Sequence, residues 1–465
     1  MCPGRPSVET WCATVLSNAQ SNRHLLDGIS SAKAAVVLSV LAVASFHEEK
    51  ARGDTSFSPI EADEASPLRS DELFSEALRL SEQETGFPKL ESAQSRLVQV
   101  LYLLMSSRFN QAWYTFGHAL QIISALGLHR KHKSLAQRRD YIEEQCKRRT
   151  FWVAYTLDKY LGVIFGRPRH YHDDDIDQDF PDSVNDEDML SSGPQARVID
   201  SDCHINSLIF HAKLAQIAEK ISREVYSIKA VPDENRLAAS HRLGADLRQW
   251  KASLPPVLGA IHPSSLITCF RRQAIALKLS YCHAVMLAHR PFLLKSAFRN
   301  SRDLRALAKE SLTECISAAQ SVLEMVDRMA REGSLFHAFW WTHYVCFCAL
   351  VVVYVWAIQE SNNNSTINVR RNIFEQAERC LGHLAQATAS NSPSRKYHII
   401  VQELRAEAKR KTGKPPQEQP QHDIAATATI EHAPHGVTNL STLERTSSLN
   451  TEPVQQTWQP LFGKC

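Results

Sequence analysis

No Cys-x-x-Cys pair occurs in this sequence, although its 465 residues include eleven cysteines scattered from Cys2 to Cys465. A structural zinc site needs ligands held at short, defined spacings, so no standard one can be read from them. Their odd number and unpaired spacing argue against a secreted disulfide framework and for a reducing compartment. Most of them, such as Cys269, Cys282, Cys346 and Cys348, sit in apolar helical patterns and read as small buried hydrophobes. The sixteen glycines never form a G-x-G-x-x-G, a P-loop or a G-x-S-x-G elbow. That removes the phosphate cradles and the nucleophile turn of common nucleotide-binding and hydrolytic sites, and no positive sign of an enzyme is left. Charge of one sign is also lacking. A net charge of +3 is too near neutral for the whole chain to act as a nucleic-acid polycation. Met1-Cys2-Pro3-Gly4-Arg5 opens without the apolar core of a signal peptide. Of two longer apolar runs, Ala32–Phe46 is shorter than a membrane span. Phe339–Ile358 is interrupted by Thr342, His343, Cys346 and Cys348 and has no basic flank, so a buried core helix is expected there.

Alternating strand patterns and hairpin turns are missing as well, and what remains is helical periodicity, giving an all-α class of packed antiparallel helices. Residues 1–30 are weakly patterned, and Ser30–Phe46 reads as a helix apolar on nearly all sides. Ser70 opens a short helix through Leu73, Phe74, Ala77 and Leu78. Leu97, Val100, Leu101 and Leu104, then Trp113, Phe116, Leu120 and Ile123, mark two helices joined at Ser106-Ser107-Arg108, an αα-hairpin that ends at Gly127-Leu128. Asp140, followed by Glu143, opens the most apolar helix, which stops at Gly166 before Pro168. An acidic, irregular stretch covers 169–203. Helices resume from Phe210 and continue to about 411. Beyond Thr412 the composition turns to Pro, Gln, Thr, Ser and His, which predicts a disordered C-terminal tail with one apolar patch at Trp458, Leu461 and Phe462. The expected organisation is an N-terminal segment (1–69), a central helical domain (70–300), C-terminal helices packed on it (301–411) and the tail (412–465).

Candidate chemistry is sparse. His170, His172, Asp173, Asp174, Asp175, Asp177 and Asp179 could ligate a metal, but they lack a His i, i+4 pair and the glycine and distal Glu of a calcium loop. A solvated loop whose aspartates cap backbone amides is expected, with no metal and no catalytic residue. Asp158 lies inside an apolar run and needs a partner, for which Arg167, Arg148 or a helix N-terminus are the candidates. Basic residues between His129 and Arg149 could touch phosphate, yet no reading helix accompanies them, so an exposed loop and helix start is expected. Lys409, Arg410, Lys411 and Lys414 form a compact patch that suits a nuclear import signal or the C-terminus of a helix. Asn363-Asn364-Ser365 fits a glycosylation sequon, read as chance without a secretory route.

One stretch resembles a known family. Arg148, Arg149, Phe151, Trp152, Tyr155, Leu157 and Asp158, then Gly166-Arg167-Pro168, then Asp173-x-Asp175-Ile176-Asp177 and Phe180-Pro181, are similar to the signature of the fungal-specific transcription factor domain, the middle homology region of fungal zinc-cluster regulators. Ala112-Trp113 through Gly127-Leu128-His129-Arg130, Leu247-x-x-Trp250 with Leu254-Pro255, and His289-Arg290-Pro291-Phe292 resemble later and earlier landmarks in the right order, over roughly residues 70–300. The resemblance implies a nuclear regulator of RNA polymerase II transcription of a metabolic or biosynthetic gene set. It also implies transcription machinery or co-regulators as partners, a small-molecule effector and a homodimer. The family's N-terminal six-cysteine zinc cluster is not matched, since only Cys2 and Cys12 lie early in the chain. Zinc and sequence-specific DNA binding would therefore belong to a cluster upstream of Met1, or the regulator has lost that module. A cytoplasmic helical protein that sequesters a partner or metabolite is the alternative; a membrane anchor is disfavoured.

Overall fold

Fourteen α-helices make up the protein, as the computed structural model describes it over residues 5–21, 23–51, 69–131, 140–195, 202–293, 302–333, 340–359, 367–387 and 394–412. The strands among the described residues are one two-residue ribbon, Met189–Leu190 against Gly193–Pro194. The expected tail, the sequon at Asn363 and Lys414 lie outside the described residues, as do residues 294–301, where the expected central and C-terminal units meet.

Helix α1 (Arg5–Gln20) was not expected from the weak pattern of residues 1–30. Its apolar positions are too few for a stripe: Val15 is buried while Leu16 stays half exposed. Helix α2 (Ser31–Ala51) buries Ala34 to Val37 in succession, which explains its all-round apolar character. It packs against α3 (Arg69–Glu82) and α4 (Leu90–Met105). Helix α5 (Phe109–Ala125) turns back on α4 across Ser107, the αα-hairpin expected, and closes at Gly127 with the Leu128 amide donating to the Ile123 carbonyl at 3.1 Å.

Helix α6 (Tyr141–Phe165) starts where the side chain of Asp140 accepts from the Ile142 amide at 3.0 Å. Gly166 ends it at φ 61°, a left-handed conformation that costs other residues about 1–2 kcal/mol. The Arg167 amide then reaches the Gly162 carbonyl at 3.1 Å, and Pro168 cannot continue the ladder. The remaining helices are α7 (Ile205–Glu224), α8 (Asp233–Ala252), the single turn α9 (Pro256–Gly259), α10 (Thr268–His289), α11 (Arg302–Arg331), α12 (Trp340–Gln359), α13 (Ile367–Ala387) and α14 (Ser394–Thr412).

Among the described residues two large apolar cores result, with smaller clusters joining α1, α2 and α3 and joining α9 to the start of α10. The first joins α2, α4, α5 and α6, with Ala212 and Ala215 of α7. The second joins α7, α8 and α10 to α14, with Phe210, Leu214 and Ile221 on the opposite side of α7. Helix α12 lies in the middle of the second core, and every residue from Trp341 to Tyr354 is buried. By length and composition α2 and α12 could both cross a membrane, but protein covers 89% of the α12 window. Its apolar surface is already buried among the other helices, as expected of a core helix. Cys269 departs from expectation: it is exposed on the first turn of α10, where the apolar face has not yet met its partners.

Candidate ligand-binding site

Helix α6 has two working faces. Phe151, Trp152 and Tyr155 point into the first core, where Trp152 stacks on Phe180 at 4.2 Å and its indole N–H donates to the Asp179 carbonyl at 2.7 Å. The other face carries Arg149, Val153, the adjacent pair Thr156 and Leu157, and Tyr160, and these line a cavity of about 710 Å³. Protein interiors are close-packed, with few voids larger than a water molecule. This volume falls instead in the range of roughly 300–1,000 Å³ that small-molecule sites occupy.

The other walls come from far along the chain. Helix α2 contributes Val43 and His47, α4 contributes Leu101 and Met105, and the start of α7 contributes Leu208 and His211. Gln273 and Ser280 of α10, Trp340 and Trp341 of α12, and Asp186 and Glu187 from the segment between α6 and α7 add to the lining. The aromatic wall is ordered: Trp341 stacks on Tyr160 at 4.9 Å with planes 5° apart, and its indole N–H donates to Ser280 Oγ at 3.0 Å. Tyr160 and His211 Nδ1 share a hydrogen bond of 3.1 Å.

Polar side chains also line the cavity. Arg149 is 4% exposed, its guanidinium pairing with Asp186 and donating to the Val184 carbonyl at 2.8 Å and to Met189 Sδ at 3.6 Å. Its Nε–H is buried with no partner. Gln273 donates from Nε2 to the His204 carbonyl at 3.3 Å, while its Oε1 is buried and also unpartnered. Burial pushes the His211 imidazole down to about 4 and raises the Tyr160 phenol, so both are neutral near pH 7. His47 is lowered too, first by burial and then by Arg272. The cavity can therefore offer apolar and aromatic surface and uncharged hydrogen-bonding groups, beside the Arg149–Asp186 pair and the Glu187 carboxylate.

The other signature residues build the frame. Arg148 pairs with Glu144 and Asp182, and Arg167 donates to Asn110 while its guanidinium lies over Trp113. Gly166 and Pro168 are exposed at the end of α6, Asp175 is exposed and Ile176 packs against the first core. Asp158 does not pair with Arg148, Arg167 or a helix N-terminus, as expected from sequence. It accepts the amides of His170 at 2.8 Å and Tyr171 at 3.1 Å and pairs with Lys159 at 3.3 Å. The loop after α6 folds back over the helix, which brings those amides within reach. Asp173 accepts the Tyr155 hydroxyl at 2.5 Å, and Asp177 takes the Lys131 amide at 2.7 Å. Among the described residues, no group of three metal-ligating side chains converges. Of the basic run, Arg130 and Lys131 pair with Asp177 and Asp179. Lys409 pairs with Glu378 at 2.9 Å, and Arg410 and Lys411 with Glu407.

A family model described as the fungal specific transcription factor domain matches residues 15–252, just over half of the chain. The chain belongs to that family. Within this fungal-specific transcription factor domain the matched region begins at Val15, in the last part of α1, and runs to the end of α8. Gln273, Ser280, Trp340 and Trp341 of the cavity wall lie beyond it. The chain is 26% identical over 357 residues to Activator of stress genes protein 1 of Candida albicans, covering 67% of this chain and 35% of that protein. It is 26% identical over 328 residues to Activator of stress genes 1 of Saccharomyces cerevisiae, covering 68% and 33%. Transcriptional activator protein acu-15 of Neurospora crassa is 25% identical over 247 residues, 52% of this chain and 25% of that protein. The chain thus spans about a third or less of these relatives' lengths. No solved structure matches it.

The buried imidazoles make stability depend on pH. Burial holds His211 and His289 at about 4 and His283 at about 3, against an ordinary 6.5. The unfolded chain takes up these protons first, so stability is full above about pH 6.5 and falls as pH drops toward 4. Urea midpoints measured from pH 7.5 down to about 5 are expected to fall steadily, and His283→Gln is expected to flatten the slope.

Proposed function

We propose that this chain is the regulatory part of a nuclear transcription regulator, and that the cavity on the outer face of α6 is its effector site. Family membership supports the first half, together with relatives whose names mark them as transcriptional activators. The observation that carries the second is the placement of the cavity: the signature helix lines it with Arg149, Val153 and Leu157 while anchoring the first core with its opposite face. A ligand there touches α2, α4, α6, α7, α10 and α12 at once, so it favours whichever packing of the two cores it fits best. Output then passes to co-regulators or the transcription machinery, and DNA is reached through a zinc cluster elsewhere in the regulator or through a partner. The basic run from Lys409 to Lys414 serves import, and homodimers fit the same role. No catalytic reaction is proposed for the cavity.

One experiment in fungal cells tests both halves. The fluorescently tagged chain, fused to a heterologous DNA-binding module, is expected to accumulate in nuclei and to change transcription of a reporter carrying that module's site. Leu157→Trp, which fills the cavity, is expected to fix the output at one level. Exclusion of the tagged chain without the added module from nuclei, with reporter output equal to that of the module alone, would sink the reading in favour of a cytoplasmic sequestering protein.

A further inference from the structure

The cavity on the outer face of α6 leaves apolar surface partly uncovered. Leu101, Met105, Val153, Leu157 and Leu208 line it and are each only partly buried, and Trp340 of the aromatic wall is in the same condition. The cavity is a cleft open to solvent, not a sealed void. Contiguous apolar surface left open in this way marks a place where another group docks. Among lysine, arginine, aspartate and glutamate side chains, the lining sets one guanidinium, Arg149, against two carboxylates, Asp186 and Glu187. An occupant that carries a cation beside its apolar groups is therefore matched in charge as well as in polarity.

The chain itself carries a segment of that chemistry. Between Thr412 and Cys465 the aromatic residues are Trp458 and Phe462, which stand four apart with Leu461 between them. Lys464 follows two residues later, and residues 453–464 include no acidic side chain. Trp458 stands 46 residues beyond Thr412, the last residue of α14. A chain of that length can extend to about 150 Å, whereas a compact protein of roughly 400 residues is about 55 Å across. The segment can thus reach the cleft from wherever α14 ends. Being on the same chain, it also acts at an effective concentration that a separate partner must exceed.

We propose that Trp458, Leu461 and Phe462 dock in the α6 cleft of their own chain, their apolar groups on its uncovered lining and Lys464 toward Asp186 and Glu187. This deepens the effector-site reading and rests on it. Tail and effector then exclude each other, so that binding of the effector releases the segment. Rings set edge to face or offset against Trp340 add to what burial alone contributes.

Photo-cross-linking in the full chain tests the docking. With benzoylphenylalanine in place of Trp458, irradiation is expected to give cross-links within one molecule to the cleft segments of α4, α6, α7 or α12. Cross-links that map elsewhere, or that join two molecules, would overturn the proposal. A synthetic peptide of residues 453–465 provides a second reading. It is expected to bind the double variant Trp458→Ala with Phe462→Ala at least about tenfold more tightly than the parent, whose own segment competes for the cleft. Equal affinity for the two proteins, or no binding to either, would count against docking. Cross-links outside the cleft, with Leu157→Trp still fixing the reporter output, would overturn this proposal and leave the effector site standing. Cross-links in the cleft, with reporter output unaltered by Leu157→Trp, would keep the docking and overturn the effector-site reading.

Discussion

Replacing Lys159 by methionine is expected to lower the stability of the protein by about 3–5 kcal/mol, the usual cost of removing one partner from a buried ion pair. The Lys159 side chain is fully buried, and its ammonium donates to the Tyr171 carbonyl and pairs with Asp158 at 3.3 Å and Glu219 at 3.5 Å. Arg169 reaches Glu219 at 2.7 Å, so two cations balance two carboxylates where α6, α7 and the returning loop meet. Without the ammonium, Asp158 and Glu219 face each other in the interior with half of their compensation gone. Adding Glu219→Gln restores neutrality and is expected to recover part of the loss, a non-additivity that isolates the charge effect from the packing effect. Urea denaturation followed by tryptophan fluorescence reads both. A Lys159→Met protein as stable as the parent would show that the cluster is not held by charge.

Trp152→Ala is expected to cost about 3–5 kcal/mol by emptying a large volume in the first core. The indole is 3% exposed, packs against Phe151 and Tyr155 at 5.2 Å each and covers Phe180. It also holds the Asp179 carbonyl through its N–H, so the change removes the link between α6 and the acidic loop as well as apolar volume. Limited proteolysis is expected to gain cleavage near residues 173–182 in the variant before the helices themselves are cut. If the loop stays as resistant as in the parent, Asp173 and Asp177 hold it without the indole.

The ends of α6 were legible because their chemistry is local: Asp140 caps the first turn and Gly166 ends the last. The αα-hairpin of α4 and α5 and the all-α class followed in the same way from spacing and turn residues. The partners of Asp158 were not legible. A local reading reaches for the nearest arginines, whereas the carboxylate is satisfied by amides twelve and thirteen residues on, after the chain has doubled back. Helix α1 was missed because its contacts with α2 need few apolar positions. The cavity was hidden for a related reason. Its walls come from six helices, and Arg149 read only as a mark of family. An arginine inside an apolar stripe, and the doublet Trp340-Trp341 opening a helix apolar all round, are the two signals that point to it.

The order of the two cores along the chain also bears on how the protein is made. The first core is complete once Ala215 of α7 has emerged from the ribosome, whereas the second, and the aromatic wall of the cavity, wait for α12 at Trp340. At about 5–20 residues per second, the intervening stretch of roughly 125 residues takes about 6–25 s to synthesise. For that interval the outer face of α6, bearing Leu157 and Tyr160, lacks the cover of Trp340 and Trp341. A nascent chain in this state presents the surface that chaperones bind, and any message ending before α12 yields a product that keeps it exposed.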